Sequence, residues 1–96
     1  MAYDPGAIDA TLAAAVGDEP ALIAELRLAF VESAEKALAL IEAAPDGEAW
    51  RAATCRLKGL SASFGAVRLM ALATEAMDRP RDAAVLARLR RSIARL

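Results

Sequence analysis

Between Pro20 and Ala44, the residues Ile23, Leu26, Phe30, Ala34, Ala37 and Ile41 follow one another in steps of three and four. That spacing gathers all six on one side of an α-helix, whereas one face of a strand requires steps of two. Glu25, Glu32, Glu35, Lys36 and Glu42 fall mainly outside the apolar side. The rest of the chain pulls the same way. Aromatic residues make up 4% of it and β-branched residues are sparse, so strand propensity is weak throughout. Alanine, the best helix former, supplies the largest share of the 57% hydrophobic content.

Proline and glycine punctuate this helical background. Asp4-Pro5 reads as an N-cap followed by proline at the first helical position, and Asp18-Glu19-Pro20 repeats the pattern. A short first helix therefore carries Ile8, Leu12 and Ala15 or Val16 inward and stops at Gly17. The second runs to about Ala44. Pro45-Asp46-Gly47 is a turn in which Asp46 caps a third helix, from about Glu48 to Phe64. Gly65 separates it from a fourth, about Ala66 to Asp78, whose expected inner face is Val67, Met70, Ala73 and Met77. After Arg79-Pro80, a last helix turns Val85 or Leu86, Leu89, Ile93 and Leu96 inward, with its arginines toward the C-terminus. Short connections make neighbouring helices antiparallel. The expected fold is all-α: one domain over residues 1–96, an up-down antiparallel four-helix bundle with a short N-terminal helix capping one end.

Composition removes several function classes. The chain has no histidine and one cysteine, which excludes an intrachain disulfide and a His/Cys zinc site. No cofactor and no metal are expected. No stretch approaches the roughly 20 uncharged apolar residues that span a bilayer, and Met1-Ala2-Tyr3-Asp4 does not open like a secretory signal. A cytoplasmic location is expected, with no membrane partner. Charge is unevenly divided. Residues 1–48 hold ten acidic and two basic residues, a net −8, while residues 49–96 hold three acidic and ten basic, a net +7. Complementarity between packed helices is the simplest reading of that division. The Arg79–Arg95 set reads as a solvated face. It lacks interleaved aromatic or hydrogen-bonding residues, so no nucleic-acid partner is expected.

The most informative segment is Trp50 to Ala66. At about 100° per residue, Ala53, Leu57, Leu60 and Phe64 cluster opposite Cys55, with Trp50 beside them. These form the core face, and Ser61 also points away from Cys55 into a packing role. Glu48, Arg51, Lys58, Gly59 and Ala62 lie on the side of Cys55. Two features of that outer side are unusual. Free cysteine is among the most buried residue types, yet this one points outward. A helix-interior glycine costs about 1 kcal/mol relative to alanine, in a chain that uses alanine freely. Gly59 leaves bare backbone one turn from Cys55, where another molecule can approach, and Lys58 offers a flexible cation at the rim.

The run Cys55-Arg56-Leu57-Lys58-Gly59-Leu60-Ser61-Ala62-Ser63-Phe64-Gly65-Ala66 resembles the signature of histidine phosphotransfer (HPt) domains, with Cys55 at the place of the phospho-accepting histidine. Leu69 through Glu75 is similar to the helix that follows in that family. Gly17-Asp18 and the apolar helix with Phe30 are similar to its N-terminal half. The resemblance spans nearly the whole chain. It implies a four-helix bundle working in a two-component phosphorelay, where such domains pass a phosphoryl group between receiver-domain aspartates. It also implies that Lys58 stands where a lysine holds the phosphoryl group, and Gly59 where a glycine clears room for the receiver.

The chemistry-bearing position departs from the pattern. Phosphohistidine transfer needs an imidazole nitrogen, and no residue of this chain has one. The leading expectation is a bacterial pseudo-phosphotransfer protein, monomeric and without enzymatic activity. It would dock response-regulator receiver domains or a histidine kinase as competitor, scaffold or regulator. Its docking surface would centre on Arg51, Cys55, Lys58, Gly59 and Ala62, with Arg56 and Arg68 as rim charges. Two alternatives stand beside it. Cys55 could act as a redox-responsive thiol, since Arg51 and Lys58 a turn away on either side favour the reactive thiolate, although Glu48 opposes them and an idle exposed thiol is the simpler reading. Or Cys55 could be an engineered replacement of histidine, which would make the natural protein an active phosphotransfer domain.

Overall fold

In a computed structural model, residues 5–17 and 19–96 are described. All regular structure among them is helical: α1 (Pro5–Val16), α2 (Pro20–Ala43), α3 (Gly47–Ser63), α4 (Val67–Met77) and α5 (Ala83–Ala94). The expected cap at Asp4 lies outside the described residues, as does Asp18, while Glu19, the acid directly before Pro20, stands at the N-cap of α2 with no side-chain cap hydrogen bond. Asp46 caps α3 as expected, its carboxylate accepting from the Ala49 N–H at 2.8 Å. Asp82 does the same for α5, accepting from the N–H groups of Ala84 and Val85. The α3–α4 turn is a Schellman arrangement around Gly65, at φ +71°. The Ala66 N–H donates to Ser61 O at 2.9 Å and the Gly65 N–H to Ala62 O at 3.3 Å.

Helix α3 packs against α2 and α4, and α5 closes against α4 and α2. One continuous core results, built on Phe30, Ile41, Trp50, Leu57, Leu69, Val85, Leu89 and Ile93. Phe30 and Phe64 stack within it at 4.9 Å. The apolar stripe of α2 behaves as its spacing predicts: Phe30, Ala34, Ala37 and Ile41 are buried, with Ile23 and Leu26 partly buried against them. Helix α1 brings Ile8 and Leu12 to this core and crosses the end of the bundle at the α3–α4 turn. Its third expected contact is weaker, since Ala15 is exposed and Val16 only half-buried.

The inner face of α4 differs from the expected one. Val67 is 58% exposed, Met70 and Met77 are half-buried, and the buried line is Leu69, Ala73 and Ala76. Only Ala73 belongs to both sets. The reason is the position of α4 between α3 and α5, where the small side chains of Ala73 and Ala76 let helix backbones come close. Trp50 Nε1 uses that closeness, donating to Ala76 O at 2.7 Å. Two buried hydroxyls of α3 are satisfied within their own helix: Thr54 Oγ1 donates to backbone carbonyls at Trp50 and Arg51, and Ser61 Oγ to Leu57 O.

Ion pairing meets part of the charge division of the two halves. Glu42–Arg90 joins residues 1–48 to residues 49–96, and Arg27 donates to Leu96 O across the same divide. Asp9–Arg27 lies within the first half, and Arg51–Asp78 and Glu75–Arg88 lie within the second.

Candidate functional site

Helix α3 carries the site because its two sides are so unlike. Trp50, Ala53, Thr54, Leu57 and Ser61 are buried. Arg51, Cys55, Gly59 and Ala62 are exposed, and Lys58 is half-buried beside them. The five residues expected to form a docking surface thus share one accessible face of a single helix. Its position is fixed from below by the core and at its start by the Asp46 cap.

Gly59 is the unusual member. A Cβ built on it would meet no atom within 4 Å, and its backbone dihedrals are ordinary for a helix. Neither packing nor backbone geometry within the chain requires glycine there. The result is a flat, unobstructed stretch of α3 directly after Cys55 and Lys58. Arg51 is less free than its sequence position suggests. Its Nη1 lies 3.4 Å from both Met77 O and Asp78 Oδ1, at the C-terminal end of α4 where a cation suits the helix dipole.

The two expected rim charges part company. Arg56 turns toward α2 and lines a groove of about 700 Å³ with Ser33, Lys36, Leu40 and Leu60. The groove continues toward the Pro45 turn past Ala49 and Ala52. Arg68 belongs to a different groove, between α4 and α5. The α2–α3 groove was not legible as part of the site. Leu40 was the available signal: a leucine about 80° away from Phe30 on the α2 wheel, 51% exposed, where the core stripe does not need it.

Cys55 is a free thiol on the exposed face. Among the described residues no group of three or more His, Cys, Asp or Glu side chains is placed to hold a metal ion, and no helix is long and apolar enough to cross a membrane. The arrangement offers a partner a cationic side chain, bare helix backbone and an apolar groove alongside. No family model, no curated protein and no solved structure matches this chain.

Proposed function

We propose that this protein is a docking module of the HPt kind, one that engages a receiver domain through the outer face of α3 and carries no phosphoryl group. On this reading α2–α5 are the family's up-down antiparallel four-helix bundle, with α1 across one end. The single observation that carries the reading is Gly59. A helix-interior glycine costs about 1 kcal/mol against alanine, and among the described residues nothing beyond its own helix backbone and chain neighbours comes within 4 Å of the place a Cβ would take. A cost without an internal benefit points to an external one: close approach of another protein's backbone. Lys58 and the apolar α2–α3 groove flank that spot and fit the same use.

Docking is separable from transfer. A phosphoryl group passing between aspartates through this site needs an imidazole at position 55, and the thiol of Cys55 stands there instead. The module would occupy a receiver without relieving it of phosphate. The test is phosphotransfer from a panel of phosphorylated receiver domains to this chain and to its Cys55→His variant. The histidine variant is expected to acquire the label from at least one receiver, and the unaltered chain from none. Failure of the variant with every receiver, together with no binding of any receiver to the unaltered chain, overturns the proposal.

Exposure of Cys55 also supports a narrower competing reading, a redox-responsive thiol. It requires Cys55 to react with a thiol probe faster than a model peptide thiol does. An equal rate removes it.

A further inference from the structure

The groove between α4 and α5 is lined by Arg68, Arg88, Arg91 and Arg95, with Leu72 and Ser92 among the residues between them, and encloses about 490 Å³. Glu75 is the one carboxylate in the lining, and it is already paired with Arg88 at 2.6 Å. Arg68, Arg91 and Arg95 pair with no carboxylate among the described residues. Three uncompensated guanidinium groups around one concavity repel one another, and their repulsion is relieved by any multiply charged anion that enters.

The neighbouring charges sharpen this. Helices α4 and α5 are joined by a short turn and run back along each other, so Arg68 near the start of α4 sits opposite the last turns of α5, which hold Arg91 and Arg95. Glu75, near the end of α4, sits opposite Arg88. The groove therefore has a neutralised end and a cationic end. Guanidinium groups offer paired N–H donors that match phosphate oxygens two at a time. The half-buried Leu72 and the Ser92 hydroxyl give the groove an apolar side and a polar one. Its volume lies within the range of small-molecule sites, about 300–1,000 Å³.

We propose that the cationic end of the α4–α5 groove binds a small soluble anion carrying two or more phosphate groups, of the kind found in the tail of a nucleotide. Arg68, Arg91 and Arg95 hold the phosphates, and Leu72 lies against whatever apolar group the anion carries. A compact polyphosphate concentrates several charges within reach of three arginines, which single carboxylates on a protein surface do only when several are aligned. The site is independent of the proposed docking face, which is built on α3 and the α2–α3 groove and shares no lining residue with it, so either can fail without the other.

The experiment is calorimetric titration of the whole chain with sodium tripolyphosphate and with ATP at low salt, repeated on an Arg91→Gln/Arg95→Gln variant and on Arg51→Gln. All three altered residues are exposed, and far-ultraviolet circular dichroism checks that each variant keeps its helices. Saturable binding is expected, weakened about tenfold or more by the double substitution through loss of two charge-assisted contacts, and unchanged by Arg51→Gln. Absence of saturable binding, or equal weakening by Arg51→Gln, overturns the proposal. So does tighter binding of a glutamate decapeptide than of tripolyphosphate, which would assign the groove to an acidic protein segment. Binding to phosphatidylglycerol vesicles but not to either soluble phosphate would likewise reject the soluble ligand.

Discussion

Gly59 and Gly65 stand six positions apart, one within α3 and one in the turn that ends it, and their surroundings are opposite. A Cβ on Gly65 would lie 2.0 Å from Thr11 Oγ1 and 2.8 Å from Thr11 Cβ, and its backbone has φ +71°. A Cβ on Gly59 would touch nothing. The glycine at 65 is explained by the chain itself: it lets α3 end in a left-handed residue and lets α1 lie across the bundle end. The glycine at 59 has no such explanation among the described residues, and that is why the proposed docking face rests on it rather than on any charged neighbour.

The sharpest way to break this comparison is Gly65→Ala. A left-handed alanine and the collision with Thr11 together should cost about 2–4 kcal/mol, read as a lower denaturant midpoint. Adding Thr11→Ala should recover part of the loss by removing Oγ1. A loss below about 0.5 kcal/mol, small against the usual cost of overpacking, would show that α1 does not press on the turn. Next in size is Trp50→Phe, which deletes the donor to Ala76 O and leaves a void in the core. About 2 kcal/mol of stability should go with it, a loss that tests whether α4 is held to α3 through its Ala73–Ala76 line.

Asp46→Ala removes the side-chain cap of α3 and should cost about 1 kcal/mol by thermal or chemical unfolding. Smallest and of opposite sign is Gly59→Ala. With open space around the new methyl group, it should raise stability by about 0.5–1 kcal/mol, while weakening receiver binding about tenfold through loss of close approach. A Gly59→Ala chain that is more stable and binds a receiver domain as well as the unaltered chain does would remove the main support for the proposed docking face.

Much of this was legible along the chain because helix starts and stops are local events. A proline at a first turn, a carboxylate one residue before a helix and a glycine after it act over three or four residues. The boundaries of α2 and α3 accordingly fall within one residue of those expected from the sequence. The outward direction of Cys55 was equally legible, because Ala53, Leu57, Leu60 and Phe64 fix the opposite side of α3 through periodicity alone. Val67, Met70 and Met77 misled for the complementary reason. Large apolar residues stand on several sides of α4, Leu69 and Leu72 as well as these three, so size does not single out one face, while the alanines that are buried there carry almost no signal of their own.

What the sequence by itself determined, then, is the number of helices, their ends, and the face of α3 that meets solvent, since each follows from the propensity, capping and period of one segment. Only the tertiary structure decided which face of α4 is buried, why Gly65 must be glycine while Gly59 need not be, and that Arg68 leaves the α3 face to join Arg91 and Arg95. Each of those depends on where a second helix lies, and the position of a neighbour is set by packing between segments far apart in the chain.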